Sequence, residues 1–150
     1  MGNKLLITKN SKGEIVYGNN YNNHIFLTDM NIIEINRIIN GVIKIFIGFN
    51  KLKKIHKLPN SLTHIYFHNN LLTLLPKLPI YLKYLECSSN YIKLLPELPQ
   101  TLQILFCYEN KIEKLPDLRE LKKLEKVRCD MCCFELYMLE MKKIEFEFYC

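Results

Sequence analysis

Apolar and polar positions repeat along this chain with a fixed period of 20 residues. An asparagine closes each period, and apolar residues stand eight, five and three positions before it. The four clearest copies are Val42, Ile45, Ile47 and Asn50; Leu62, Ile65, Phe67 and Asn70; Leu82, Leu85, Cys87 and Asn90; and Leu102, Leu105, Cys107 and Asn110. A fixed period of this size is typical of one small structural unit stacked repeatedly, so the pattern predicts a solenoid.

Each copy divides into a strand and a return limb. The apolar residues before the asparagine alternate with other residues at a period of two, as at Ile65 and Phe67, which predicts a strand with its apolar side chains on one face. Leu-Pro pairs follow, for example at Pro76 and Pro79. Proline lacks a backbone donor and drives the preceding residue out of the helical region, so the limbs are expected to be extended and polyproline-like.

The recurring asparagine stands where the chain turns inward after each strand. Buried backbone groups at such a bend need hydrogen-bond partners, and a side-chain amide can both donate and accept. We therefore predict a structural asparagine ladder made of Asn50, Asn70, Asn90 and Asn110.

The repeats extend beyond the regular centre, and the whole chain is expected to form one domain over residues 1–150. Residues 1–24 are predicted as an N-terminal cap with a hairpin at 4–17, and residues 25–132 as about six repeats, most regular over 42–123. Residues 133–150 are predicted as a C-terminal cap that ends in a strand. Leucines spaced by three residues between 117 and 124 predict a turn or two of helix.

Composition restricts the choice of partner. The net charge is +6, but 18 lysines stand against three arginines and there is no alanine, which is typical of an AT-rich genome. Codon bias therefore accounts for much of the charge, and nucleic acid is not the expected partner. Polyanion or nucleic-acid binding stays open as an alternative through a lysine-rich limb at Lys51, Lys53, Lys54 and Lys57.

Hydropathy at the start and along the chain predicts an intracellular protein. The first residues do not form a secretory signal pattern, and no apolar run approaches the ~20 residues that cross a bilayer. No membrane partner is therefore expected.

The six cysteines are interpreted from their repeat positions. Cys87 and Cys107 occupy the strand position of Ile47 and Phe67, so they are expected to be buried and reduced. Cys129 and Cys132 have the spacing of half a zinc site, but no second pair follows. We therefore predict no metal and no cofactor, with Cys132 in place of the asparagine and Cys133 outside the core.

The repeated segments of this chain resemble leucine-rich repeats. The similarity is carried by copies such as residues 78–92, which read LPIYLKYLECSSNYI, and it is to the short Leu-Pro-rich subclass of bacterial effectors and of giant DNA viruses of amoebae. It implies a mostly β member of the α/β solenoids, a horseshoe whose concave parallel sheet binds proteins. A mimivirus-like source, favoured by the composition, would place the protein in the host cytoplasm. Some bacterial relatives add a ubiquitin-ligase domain, so a substrate-recognition subunit acting in trans is a further alternative.

The candidate binding face follows from the same alternation. If the apolar strand residues point inward, the residues between them face the concave side. The candidate residues are Phe26, Lys44, Phe46, His64, Tyr66, His68, Tyr84, Glu86, Phe106, Tyr108 and Arg128. Their aromatic column indicates either an interaction surface or rings that stack to stabilise the sheet.

Catalysis is not expected on this face. Ser88 with Glu86 is the one nucleophile and carboxylate near His64 and His68, and an open sheet excludes water poorly. The sequence thus predicts a non-catalytic protein-protein interaction module whose partner it does not name. A monomer is expected, with a dimer through the terminal strands as the open alternative.

Overall fold

Parallel strands dominate the fold. The computed structural model describes residues 6–10, 15–17, 20–38, 40–133, 135, 138, 140–141 and 143–150. Twelve strands lie in these ranges: β1 (Leu6–Asn10), β2 (Ile15–Tyr17), β3 (Asn20–Tyr21), β4 (His24–Phe26), β5 (Ile32–Ile38), β6 (Lys44–Phe46), β7 (Lys54–Ile55), β8 (His64–Tyr66), β9 (Tyr84–Glu86), β10 (Ile104–Phe106), β11 (Lys126–Asp130) and β12 (Glu145–Tyr149). A 3₁₀ helix spans Met131–Cys133.

Eight of these strands form one sheet, in the order β12-β11-β10-β9-β8-β6-β4-β3. Neighbours are parallel except for β3, which pairs antiparallel with β4. The register is one repeat per strand, so Ile65 stands opposite Leu85 and Leu85 opposite Leu105. The mostly β parallel solenoid of about six turns that the sequence predicts is confirmed.

The core lies between this sheet and the return limbs. Strand residues such as Leu85 and limb residues such as Leu72 are fully buried, because each repeat can cover its apolar face only against its neighbours. A local backbone turn that begins at proline leads into the next repeat. In this turn the backbone N–H of Leu82 donates to the Pro79 carbonyl at 3.1 Å, and Leu62 and Leu102 repeat this bond. Apart from the first two limbs, the limbs carry no strand among the described residues.

The first limbs differ from this plan. β5 pairs antiparallel with β1 and parallel with β7, which gives a second sheet in the order β2-β1-β5-β7. β1 and β2 pair antiparallel, as a hairpin would, although residues 11–13 of the turn predicted at 10–13 lie outside the described residues. Strands β1 and β2 are thus attached to the return limbs, whereas β3 pairs at the edge of the large sheet.

The asparagines bind the turns to one another. The Nδ2 group of Asn90 donates to the carbonyls of Phe67, Cys87 and Ser88 at 3.0–3.1 Å, and its Oδ1 accepts from the Leu72 N–H at 3.0 Å. The other three asparagines repeat the same bonds at the same offsets. The residue before each asparagine has a left-handed φ of 52–55°. The backbone bends at this residue, and the asparagine amides hold the bend together.

The C-terminal repeat departs from the sequence predictions. Residues 117–124 do not form a helix; they form successive turns, in which Leu121 donates to the Leu118 carbonyl and Leu124 to that of Leu121, both at 3.0 Å. The Asp130 carboxylate then accepts from the Glu109 and Asn110 N–H groups at 2.7 and 3.2 Å. Between earlier turns, a backbone carbonyl accepts at these positions.

The predicted roles of two cysteines are wrong. Cys132 is exposed, and its thiol faces the Ile112 carbonyl at 3.5 Å instead of the strand-end carbonyls that the asparagines hold. Cys133 is buried, and its thiol donates to the same carbonyl at 3.2 Å. The 3₁₀ helix has three residues per turn, so it directs Cys133 toward the core and leaves Cys132 exposed.

Thiol labelling of the folded protein should follow this corrected order. Burial raises the pKa of the Cys87 and Cys107 thiols, and a hydrogen bond with Cys129 together with burial raises the pKa of Cys133. Burial also raises the pKa of Cys132, but a reagent must reach the thiol, so Cys132 and Cys150, the exposed pair, should react with a thiol reagent first. Mass spectrometry of partly labelled native protein measures this order, and early labelling of Cys133 would contradict the placement.

Candidate protein-binding face

The parallel register places concave side chains in rows that cross the sheet. The first row contains His24, Lys44, His64, Tyr84, Ile104 and Lys126, and the second contains Phe26, Phe46, Tyr66, Glu86, Phe106 and Arg128. His68 and Tyr108 follow the ends of strands β8 and β10. The structure thus brings the predicted site residues together on one face of the large sheet.

The second row is an aromatic stack. The Phe26 and Phe46 rings lie 4.6 Å apart with planes inclined by 5°, and the Phe46 and Tyr66 rings lie 4.3 Å apart at 11°. Strands in a sheet are ~4.8 Å apart, so identical positions on adjacent strands place rings in stacking contact. Phe26 ends the stack and is 49% exposed.

Tyr84 continues the stack past Glu86, although it belongs to the first row. Its ring lies 4.7 Å from that of Tyr66, tilted by 30°, and 5.6 Å from that of Phe106, edge to face. The Arg128 guanidinium then lies 4.5 Å from the Phe106 ring centre. Stacked, edge-to-face and cation–π contacts of this kind are each favourable. The result is one continuous series of flat groups from Phe26 to Arg128.

Glu86 is held inside this series. The Ser88 hydroxyl donates to its carboxylate, and the Tyr84 hydroxyl lies 3.5 Å from it. Burial, followed by the Glu86 charge, raises the pKa of Tyr84. Ser88 is 1% exposed, so its hydroxyl cannot reach a substrate in this arrangement. The predicted Ser88 and Glu86 pair forms a part-buried hydrogen bond.

The two histidines have different surroundings. Burial lowers the pKa of His64, and the neighbouring Lys44, Lys83 and His24 lower it further. The His68 ring lies directly over Gly48, where a Cβ atom would come within 2.6 Å of His68 Cε1, and it meets the Phe49 ring edge to face at 5.0 Å. Glycine at position 48 therefore makes room for the His68 ring.

Charge differs between the two ends of the face. At the C-terminal end, Lys126 lies 2.7 Å from Glu145 and 2.5 Å from Glu147, and Arg128 lies 2.5 Å from Glu147. These hydrogen bonds lower the pKa of Glu147 to about 2. At the N-terminal end, Lys44 has no ion-pair partner within the part of the chain that the structure describes. Positive charge is therefore available at that end and neutralised at the other.

The described residues contain neither a metal-binding cluster nor a membrane-spanning helix. They contain no group of three histidine, cysteine, aspartate or glutamate side chains arranged to hold a metal ion. They also contain no helix that is both long and apolar enough to pass through a bilayer.

The concave parallel sheet, the 20-residue register and the asparagine ladder define a leucine-rich-repeat solenoid, as the sequence resemblance predicted. Two solved structures are similar to it. One is the leucine-rich-repeat domain of a Shigella effector, with a TM-score of 0.69 and 27% identity, covering 72% of this chain and 49% of that chain. The other is YopM from Yersinia enterocolitica WA-314, with a TM-score of 0.45 and 22% identity, covering 72% of this chain and 33% of that chain.

The chain therefore spans about half the length of the Shigella domain and a third of YopM. No protein-family model matches the chain, and no curated protein sequence matches it either.

Proposed function

We propose that the protein is a non-catalytic interaction module that binds a protein partner on its concave face. The observation that carries this proposal is the continuous, partly exposed aromatic stack from Phe26 to Phe106. Aromatic residues are enriched in protein interfaces, and contiguous apolar surface usually marks an interaction site. The likeness to the repeat domain of a bacterial effector supports the same class of function.

The N-terminal half of the face is the better docking region. Phe26 is the most exposed ring of the stack, and Lys44 beside Phe46 has no ion-pair partner among the described residues. In the C-terminal half, Lys126 and Arg128 instead form ion pairs with Glu145 and Glu147. A partner with an apolar group flanked by acidic side chains fits the first half best, because charge complementarity guides encounter and orientation.

The same rings also stabilise the solenoid, so the test has to separate scaffold from interface. Phe46 and Tyr66 are each stacked or tilted against rings on both sides, whereas Phe26 stacks on Phe46 and meets the His24 ring only edge to face at 6.4 Å. Changing Phe26 to Ser therefore removes exposed contact surface and a single stacking partner, worth about 1 kcal/mol. Among the ring substitutions, it is expected to remove the most binding surface with the smallest loss of stability.

The experiment compares proteins retained by the immobilised chain, identified by mass spectrometry. We expect retention by the wild type to fall at least about tenfold in Phe26→Ser and to be lost in a Phe46→Ser, Tyr66→Ser, Phe106→Ser triple variant. The matched control is Tyr81→Ser, a ring that is 58% exposed and outside the concave strands. Equal retention by all variants would reject the concave face as the binding site.

The remaining alternative for this face, a substrate-recognition subunit acting in trans with a ubiquitin ligase, stays a prediction. Ligase components among the retained proteins would support it. The monomeric state and the intracellular location also stay predictions, and the free thiols of all six cysteines suit a reducing compartment.

A further inference from the structure

The outer surface of the solenoid carries its own pattern, separate from the concave face. One residue after each asparagine the successive turns present Lys51, Leu71, Tyr91 and Lys111, and four residues after it they present Lys54, Leu74, Leu94 and Lys114. At both positions, two apolar side chains on the central turns stand between lysines on the outer turns. We call these eight residues the convex patch.

Backbone hydrogen bonds hold the turns of the convex patch in register. The N–H groups of Leu71, Tyr91 and Lys111 donate to the carbonyls two residues after the preceding asparagine, at 2.8–2.9 Å. Equivalent positions on neighbouring turns are therefore side by side, about one strand spacing apart. Leu94, Lys111 and Lys114 also line one surface depression, together with Lys93 and Glu113, so apolar and cationic members of the patch share a surface.

The apolar centre of the patch is unusually exposed. Leu74 is 60% exposed and Leu94 is 75% exposed, while Tyr91 is 50% exposed. Leucine at the two neighbouring limb positions, Leu72 and Leu75, is buried, so the fold already has its core without these side chains. Contiguous apolar surface with a polar rim marks an interaction site.

The rim of the patch is cationic. Lys51, Lys54 and Lys111 form no ion pair with any described residue, and Lys114 remains 73% exposed in its contact with Glu135. Residues 51–57 hold four lysines and no acidic residue, against a net charge of +6 for the whole chain. Four of the 21 lysines and arginines therefore lie on this one limb, on the turn next to Leu74.

We propose that the convex patch docks on the surface of an anionic lipid bilayer. Leucines that enter the boundary between headgroups and acyl chains, ringed by lysines at headgroup level, are the arrangement that interfacial binding uses. Lysine stems can lie along the apolar boundary while their charged ends stay in the headgroups. The proposed contact is peripheral and requires no membrane-spanning segment. It leaves the concave face free for a protein.

A nucleic acid explains less of the patch. Strand-binding grooves combine cations with rings on which bases stack, and salt-dependent phosphate contacts require no aliphatic side chains. Tyr91 is the one ring of the convex patch, and exposed leucines would contribute nothing to phosphate contacts. The leucines are therefore the residues that discriminate between the two partners.

Co-sedimentation with vesicles tests the proposal. The wild type should bind vesicles of phosphatidylcholine with about 30% phosphatidylserine, at least about tenfold more tightly than phosphatidylcholine alone, because each lysine near an anionic surface contributes about fivefold. Leu74→Ser with Leu94→Ser should reduce binding to the anionic vesicles about tenfold. Lys51→Gln with Lys54→Gln should also reduce it at least about tenfold.

Two controls test whether vesicle binding depends on this patch and whether the lysines bind any polyanion. Ile80→Ser with Tyr81→Ser removes similarly exposed apolar surface elsewhere and should leave vesicle binding unchanged. A labelled single-stranded DNA is titrated with the wild type and the leucine variant. Absence of wild-type binding to anionic vesicles, or equal vesicle binding by the leucine variant, overturns the proposal. Equal vesicle binding together with DNA binding by both proteins would assign the lysines to a general polyanion site.

Discussion

Leu85→Ala is expected to lower the free energy of unfolding by about 2–5 kcal/mol. The Leu85 side chain is fully buried and stands between Ile65 and Leu105 on adjacent strands. Its removal leaves a cavity in the middle of the stack, where neighbouring repeats on both sides limit any collapse of the structure. Urea unfolding followed by circular dichroism measures the change in free energy.

Leu94→Ala is the matched control for this change. The same side chain is removed, but Leu94 is 75% exposed on a return limb, so its loss should alter stability by no more than about 0.5 kcal/mol. Similar losses in the two variants would mean that Leu85 does not lie in a packed core. An inverted order would reverse the assignment of inner and outer positions in the repeat.

The repeat register explains why so much of the fold could be predicted from the sequence. A period of two around Ile65 and Leu85 assigns these side chains to one side of a strand, and the 20-residue period assigns successive strands to neighbouring places. Both features are local or strictly periodic, so no long-range information is needed. The same logic placed the candidate concave residues on one face.

Side-chain contacts on that face could not be predicted in this way. Tyr84 stacks on His64 in its own row and also contacts Tyr66 and Phe106 in the second row, where Glu86 provides no ring. Likewise, the His68 ring lies over Gly48 because that residue has no side chain. Both arrangements depend on a ring or a side chain that is missing at one position of the repeat. Comparing the same position in adjacent repeats, and looking for gaps, would have indicated them.

The ends of the chain are where periodic reasoning fails. The N-terminal β1 strand pairs with the limb strand β5, a contact between segments that no repeat relates. At the other end, the step from Leu102 to Leu124 is 22 residues, so the register no longer determines which cysteine is buried. The Asp130 carboxylate takes over the acceptor positions at that end, a role that only the neighbouring N–H groups reveal.

Asn90→Ala is expected to destabilise the protein by about 1–3 kcal/mol, although it removes little apolar surface. The amide satisfies the carbonyls of Phe67, Cys87 and Ser88 and the N–H of Leu72, and a buried polar group without a partner costs about this much. Asn90→Asp should be at least as harmful at neutral pH, because a carboxylate has no proton to donate to the three carbonyls. Both effects can be measured by urea unfolding.

Asn60→Ala provides the control, because Asn60 is exposed in the turn after Pro59 and its loss should change stability by no more than about 0.5 kcal/mol. The comparison separates a position-specific role from a general effect of removing asparagine. The ladder also links each turn to the one before it, so Asn90→Ala should weaken the contact between the repeats on either side. Amide hydrogen exchange should therefore accelerate first at the N–H of Leu72, whose acceptor is removed. Unchanged stability and exchange in Asn90→Ala would mean that water or backbone replaces the amide, and that the regular spacing of the asparagines does not reflect a stabilising role.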